Sequence, residues 1–204
     1  MSCLRLAMLV LTLTCGLAAG AGAAQPVDTQ GPSAAPGHAA GAPDAPAPLE
    51  PGDAFGVEVT LPERPIVYLQ GQTKWDNALA TLMDAFKTLG DSMDKQGMTA
   101  NGAPMAIFTE IDDAGFKFHA AAPLSEAPSD PLQGDIAIGR APAGKALKFV
   151  HRGSYHAMDS TYEAITNHLD AKGLEARDVI VEEYASGPLR AGDDLVINVF
   201  VPVK

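Results

Sequence analysis

A glutamate and a tyrosine two residues apart, Glu182 and Tyr184, are the residues of this sequence best suited to chemistry. They stand in the stretch 179–184, which is rich in β-branched residues and is predicted to be a strand. Because side chains alternate along a strand, both point to the face that also carries Ile180. A carboxylate among such neighbours is costly to bury without a partner. It suits the counter-charge of a cationic ligand, or a general base with a raised pKa. A solvent-facing pair of Glu182 and Glu183 is the alternative.

Other aromatic side chains are candidates for lining a ligand cleft together with this pair. Aromatic rings can contribute cation–π contact with a cationic ligand. Trp75 is the only tryptophan and stands where a predicted turn enters a helix, which is a suitable place for a pocket rim. For each residue taken separately, ordinary core packing is the alternative interpretation. The other candidates are Tyr68, Phe108, Tyr155 and Tyr162.

Metal and nucleophile chemistry are not indicated. His151 and His156 flank a turn, but no acid or cysteine stands at the spacing of a zinc site. Ser154 lies between them without a Gly-x-Ser-x-Gly elbow, so a serine hydrolase is not predicted. The Asp112-Asp113 and Asp193-Asp194 pairs lack calcium-loop spacing and indicate hairpin turns. We expect no metal and no cofactor.

The elements that position these residues come in two similar sets. In the second set a strand at 146–151 and the turn Arg152-Gly153-Ser154-Tyr155 precede a helix, and strands at 179–184 and 195–203 follow. That helix has Met158, Tyr162, Ile165 and Leu169 on one face.

The first set has the same order. A strand at 66–73 precedes a helix that starts near Trp75, and strands at 104–110 and 116–121 follow. Neither helix can cover its own sheet, but two such β-α-β-β units side by side would bury both helices. The sequence therefore predicts an α+β fold: two pseudo-symmetric units that form one antiparallel-rich sheet, with two helices packed on it and a cleft between the halves.

The amino terminus has the layout of a secretory signal peptide. Residues 1–24 carry one positive charge at Arg5, an apolar run at Leu6–Leu13 and small residues before a cleavage point after Ala23 or Ala24. The apolar run is shorter than the roughly 20 residues that cross a bilayer. We therefore expect export, and a periplasmic or secreted location in a bacterium.

The rest of the chain divides into a linker and a domain. Both cysteines, Cys3 and Cys15, precede the cleavage point, so the mature chain is expected to contain no disulfide. Residues 25–53 are rich in Pro, Ala and Gly and predict a disordered tether. The domain is expected to span 54–204, with one repeat at about 57–124 and the other at about 133–204.

Charge excludes one class of partner. The chain has 25 acidic residues against 14 basic ones and a formal net charge of −11. Nucleic-acid binding needs a basic surface, so no nucleic-acid partner is expected. Cationic or neutral ligands are compatible with this charge.

Three short motifs together resemble a known family. They are the Arg152-Gly153-Ser154-Tyr155 turn, the Glu182-Glu183-Tyr184 strand and the closing Pro202-Val203. They follow the order of the Arg-Gly-x-Tyr turn, the Glu-x-Tyr strand and the closing Pro-Val of the GyrI-like small-molecule-binding family. This family includes the effector-binding domains of AraC-type and MerR-type multidrug regulators and the DNA gyrase inhibitory proteins. The resemblance covers about residues 57–204.

The resemblance implies a ligand cleft between two β-α-β-β units, with Glu182 as its central acid facing lipophilic cations. It also leaves two alternatives. Some members resemble hydrolases of reactive compounds, in which case Glu182 and Tyr155 would be catalytic. The haem-binding SOUL proteins have a similar duplicated architecture, with Met98, Met105, Met158 and the histidines as candidate iron ligands here.

Two features depart from the family's usual setting. The chain shows no DNA-binding domain, so transcriptional control is not expected. Its export signal does not suit a gyrase inhibitor, which needs the cytoplasm. We expect an exported protein that binds an apolar or lipophilic cationic small molecule. The sequence leaves open a membrane or envelope partner and the oligomeric state.

Overall fold

The computed structural model describes residues 46–129, 131–187, 192 and 194–204. The proposed signal peptide and residues 25–45 of the tether lie outside these ranges. The described residues form eight strands and two α-helices, each helix preceded by a one-turn 3-10 helix. The elements are β1 Phe55–Leu61, β2 Pro65–Lys74, α1 Ala78–Lys95, β3 Met105–Ile111, β4 Gly115–Pro123, β5 Ile136–Arg140, β6 Gly144–Gly153, α2 Met158–Lys172, β7 Ile180–Tyr184 and β8 Leu195–Pro202.

These elements confirm the predicted α+β fold. The strands form one antiparallel sheet in the order β1-β6-β8-β7-β3-β4-β2-β5. Its middle contains two β-α-β-β units, β2-α1-β3-β4 and β6-α2-β7-β8. They join where β3 pairs with β7, with Ala106 opposite Glu182. No helix in the described ranges is both long and apolar enough to span a membrane.

The two remaining strands are exchanged between the units. β1 precedes the first unit in the chain but pairs with β6 of the second, and β5 precedes the second unit but pairs with β2 of the first. The outer strand of the first unit, β2, therefore pairs with β5, and the outer strand of the second unit, β6, pairs with β1. Such pairing satisfies backbone groups that an edge strand would leave open.

This exchange requires a strongly curled sheet. β1 and β2 hold the first and seventh positions in the strand order, yet only residues 62–64 connect them. Six strand spacings in a flat sheet would cover roughly 29 Å, whereas four Cα–Cα steps reach about 15 Å at most. The β1–β2 and β5–β6 connections also meet, because Ala141 N donates to the Arg64 carbonyl at 3.0 Å. The face without helices is the concave one, because Leu61 of β1 and Met105 of β3 line the same cavity on that face.

Apolar side chains pack on both faces of the sheet. The larger cluster lies on the helix face and includes Leu82, Phe118 and Phe149. A smaller cluster on the concave face includes Met105 and Val181.

The two helices differ in the number of side chains that they bury. α1 buries Ala78, Leu82, Ala85, Phe86, Leu89 and Met93, whereas α2 buries Met158, Thr161 and Ile165. α2 is therefore held by fewer buried side chains than α1.

Gly115→Ala is expected to destabilise the protein by about 1–3 kcal/mol, because the new methyl would overpack a closed part of the sheet. A Cβ at Gly115 would lie 2.0 Å from the Thr73 carbonyl oxygen, and that backbone cannot move aside cheaply. Gly90→Ala, in α1 with no atom within 4 Å of its Cβ, is the matched control. It should leave the stability unchanged or raise it by up to about 1 kcal/mol. Urea unfolding of the full chain measures both, and equal effects would contradict this packing.

Candidate functional site

The carboxylate of Glu182 is held by tyrosine hydroxyls. The residue is 1% exposed and lies on the helix face of β7. One carboxylate oxygen accepts a hydrogen bond from the Tyr162 hydroxyl at 2.6 Å, and the other accepts from Tyr184 at 2.7 Å. The Tyr155 hydroxyl also acts on this carboxyl and lowers its pKa, less than Tyr162 and Tyr184 do. Within the described ranges, no lysine, arginine or histidine nitrogen lies within 4.0 Å of this carboxylate, so it is buried without a cation.

Burial and the phenols act on this carboxyl in opposite directions. Burial raises the pKa of Glu182, and the hydrogen bonds from Tyr162, Tyr184 and Tyr155 lower it, with burial the stronger effect. Burial, followed by the negative charge of Glu182, raises the pKa of each of these phenols well above its usual value. The three hydroxyls therefore stay protonated as donors at neutral pH.

Both units contribute to the site. Tyr155 comes from the one-turn helix before α2, Tyr162 from α2 itself and Tyr184 from β7. The first unit supplies an aromatic wall, since the Phe86 ring of α1 packs edge-on against Tyr184 with centroids 5.2 Å apart. Phe108 of β3 lies opposite Ile180 on β7 and belongs to the same buried cluster. The site thus lies at the junction of the two units.

A buried histidine fixes the start of α2. His151 is 1% exposed, with Nδ1 2.7 Å from the Thr161 hydroxyl and Nε2 3.1 Å from the Ser154 carbonyl. Because a carbonyl only accepts, Nε2 carries the proton and Nδ1 accepts from Thr161. Burial lowers the pKa of His151, which favours this neutral form. The ring links β6, the turn and α2, and so positions Tyr155 and Tyr162.

The end of the predicted tether contacts the same turn. Arg152 donates to both carboxylate oxygens of Asp53, at 2.6 and 2.9 Å, and Ala47 N donates to the Arg152 carbonyl at 2.8 Å. Gly153 has a φ of 112°, and a Cβ there would lie 3.1 Å from Ala47 N. The turn therefore favours glycine both for its backbone conformation and for the close approach of this segment.

The structure brings together only some of the residues that the sequence singled out. Glu182, Tyr184, Tyr162 and Tyr155 meet, with Phe108 in the surrounding cluster. Trp75 is 45% exposed and packs on Phe116, with its indole N–H donating to the Asp112 carbonyl at 2.9 Å. Tyr68 packs against the cluster on the concave face and stacks on His119 at 4.3 Å. The sheet thus separates Tyr68 from Glu182.

The three methionines among the candidate iron ligands do not converge. Met105 lies in the cluster on the concave face, Met158 in the cluster on the helix face, and Met98 packs against a third cluster. In the described part of the chain, no group of three or more His, Cys, Asp or Glu side chains is arranged to hold a metal.

Sequence reasoning missed Phe86 as a site residue. Its spacing with Leu82 and Leu89 indicated only that it belongs to the buried face of a helix. That this face meets Tyr184 depends on how α1 crosses the sheet, which periodicity does not determine. Ala106, directly opposite Glu182, was also missed, because nothing in an alanine signals a site.

Comparison with known families gives one match over most of the domain. The model described as GyrI-like small molecule binding domain matches residues 57–204. No curated protein matches the chain.

Solved structures share the fold at low sequence identity. EcmrR, seen by cryo-EM in a complex with DNA, aligns with a TM-score of 0.61 and 14% identity over 72% of this chain, which spans 56% of that one. The EcmrR C-terminal domain aligns with a TM-score of 0.59 and 14% identity, over 72% of this chain and 96% of that one. SAV2435 bound to tetraphenylphosphonium aligns with a TM-score of 0.53 and 12% identity, over 72% and 93%. Such low identities establish the fold alone.

Glu182→Gln is expected to become more stable relative to wild type as the pH rises. Burial raises the pKa of Glu182 in the folded state above the unfolded value of about 4.3. The proton's stabilising contribution is therefore fully present below about pH 4.3 and is lost as the pH rises through the folded-state pKa. The difference in unfolding free energy, variant minus wild type, should grow by at most about 1.4 kcal/mol per pH unit.

Urea unfolding from pH 4 upwards measures this difference. Glu163→Gln, which removes a carboxylate from the exposed surface of α2, controls for the change in net charge. A difference between Glu182→Gln and wild type that stays flat or shrinks with pH would contradict the raised pKa.

Proposed function

Because the chain belongs to the family of GyrI-like small molecule binding domains, we propose that it binds a lipophilic organic cation at Glu182. The observation that carries this proposal is the Glu182 carboxylate, 1% exposed and hydrogen-bonded to phenols, with no cationic side chain of the described residues within 4.0 Å of it. A ligand that supplies the missing positive charge would favour the ionised carboxylate. A ligand without charge would leave its burial uncompensated.

The neighbouring side chains suit an apolar cation. Phe86 and the three tyrosines present aromatic rings around the carboxylate, and a cation over such a ring gains about 0.5–2 kcal/mol. The apolar cluster beneath, which includes Leu82 and Phe108, offers contact to the hydrocarbon part of a ligand. Charge and apolar surface thus coincide at one place.

Binding requires the site to open, because Glu182 is closed off from solvent in this state. We expect α2 to move rather than α1. α2 buries three side chains against six for α1, and it carries Tyr162. Its movement away from β7 would withdraw the Tyr162 hydroxyl and admit the cation to the carboxylate. The ligand would therefore select or induce an open form, at a cost in its apparent affinity.

Tetraphenylphosphonium is a suitable probe of the proposal. It is the ligand named for SAV2435, which shares the fold. Tetraphenylborate has nearly the same size and shape and the opposite charge. A comparison of the two therefore separates the charge of the ligand from its apolar surface.

We expect the full chain to bind tetraphenylphosphonium and to bind tetraphenylborate much more weakly, because only the cation complements Glu182. Glu182→Gln should weaken tetraphenylphosphonium binding at least about tenfold, the loss expected for one interaction with a charged group. Isothermal titration calorimetry measures both affinities. Glu163→Gln removes the same charge from the outer surface of α2 and is the matched control.

Two results would contradict the proposal. One is equal binding of both tetraphenyl ions to wild type. The other is a Glu182→Gln variant that folds normally by circular dichroism and keeps the wild-type affinity for the cation.

A further inference from the structure

A cavity lies on the concave face of the sheet, on the opposite side from Glu182. Its volume is about 310 Å³, which falls at the lower end of the roughly 300–1,000 Å³ typical of small-molecule pockets. We propose that it binds an organic anion with an apolar tail, such as a medium-chain carboxylate. The lining residues are Val59, Thr60, Leu61, Pro62, Arg64, Met105, Ala141, Pro142, Lys148, Val181, Glu183 and Phe200.

Apolar groups form most of this cavity. Its floor contains Met105 of β3 and Val181 of β7, which are 2% and 4% exposed, with the Phe200 ring of β8 beside them. Leu61 of β1 and Ala141 of the β5–β6 connection border it from the other side. The cavity therefore depends on the curl of the sheet, which brings β1 and the β1–β2 and β5–β6 connections close to β3 and β7. An aliphatic chain would replace water along these side chains.

The charged groups of the cavity are mostly cationic. Lys148 has its ammonium 5.9 Å from the centre of the Phe200 ring, and no carboxylate oxygen of the described residues lies within 4.0 Å of it. Arg64 makes one ion pair, at 3.4 Å, with Glu183. Glu183 is also bound by the Asn198 amide at 2.9 Å. Two cations against one carboxylate make this cavity net positive in a chain of net charge −11.

This distribution matches an anion better than a cation. Among the described residues the charge of Lys148 acts on Asp53, but no carboxylate lies within 4.0 Å of its ammonium, so a ligand carboxylate at the rim would form its close ion pair. Arg64 could bind the same carboxylate, because its one ion pair to Glu183 leaves other guanidinium N–H groups available. The ammonium already lies over Phe200, so the anionic head would be placed at the edge of the apolar floor. Head and tail of an amphiphilic anion are thereby both accommodated.

The second site is separate from the one proposed at Glu182. Side chains alternate along β7, so Glu182 points to the helices while Val181 and Glu183 point to the concave face. The second proposal therefore stands on different residues from the first.

Octanoate is the probe, and the methyl group of Met105 is the reporter. In the full chain labelled with ¹³C-methyl methionine, octanoate is expected to shift the Met105 methyl resonance saturably and to leave that of Met158, in the helix-face cluster, unchanged. Octyltrimethylammonium, which has the same tail and the opposite charge, should shift Met105 much less.

Variants of two lysines on β6 test the charge. Lys148→Gln is expected to weaken octanoate binding at least about tenfold, because it removes the cation nearest the head group. Lys145→Gln, on the same strand but outside the cavity lining, should bind like wild type. Both lysines are accessible, and an unchanged Met158 resonance in each variant verifies its fold.

The inference is overturned if octanoate fails to shift Met105, if octyltrimethylammonium shifts it as strongly, or if Lys148→Gln binds octanoate like wild type. Failure of tetraphenylphosphonium to bind would overturn the proposal for Glu182 and leave this one standing, because Met105 reports on the concave face alone.

Discussion

The structure depends above all on a buried carboxylate beside which the described residues place no cation. Burial raises the pKa of Glu182 and so disfavours its charged form, and the hydroxyls of Tyr162, Tyr184 and Tyr155 partly offset that effect. Because these phenols come from the turn, helix and strand of one unit, the turn and α2 must be held in register with β7. His151 does this from within, and Arg152 joins the turn to Asp53 from outside.

Exchange of the outer strands gives the sheet two different faces. It curls the sheet away from the helices. One face is covered by α1 and α2, and the other is concave and is bordered by the β1–β2 and β5–β6 connections, which meet at Arg64 and Ala141. Alternation along β7 then places Glu182 in the first environment and Glu183 in the second. The first carboxylate has phenols as partners, and the second has Arg64 and Asn198. The two adjacent glutamates therefore lie on opposite faces of the sheet and have different hydrogen-bond partners.

The sequence predicted the units and much of the site, for identifiable reasons. Apolar periodicity located both helices and the strands that flank them. Glu182 and Tyr184 meet because they share a strand face, and Tyr162 joins them because it lies on the buried face of α2. The sequence could not show that Tyr68 lies on the other face of the sheet from Glu182, because every side chain of the stretch Ile66–Leu69 is suited to either face.

Three further features depend on tertiary arrangement and leave little signal in the sequence. Pairing of β1 with β6 is set by the curl of the whole sheet, and three connecting residues do not reveal it. The cavity at Lys148 combines residues from separate parts of the chain, so no local motif marks it. Phe86 faces Tyr184 through the crossing angle of α1, which spacing along a helix leaves undetermined.

The most direct test of the central claim is the pKa of Glu182, measured by ¹³C NMR of its side-chain carboxyl with and without saturating tetraphenylphosphonium. Burial without a cation predicts a pKa above the ordinary value of about 4.3 in the free protein. A cation bound beside the carboxylate predicts that this pKa falls. A pKa of Glu182 that is the same in both states would contradict the account, because the ligand would then bind without meeting the buried charge.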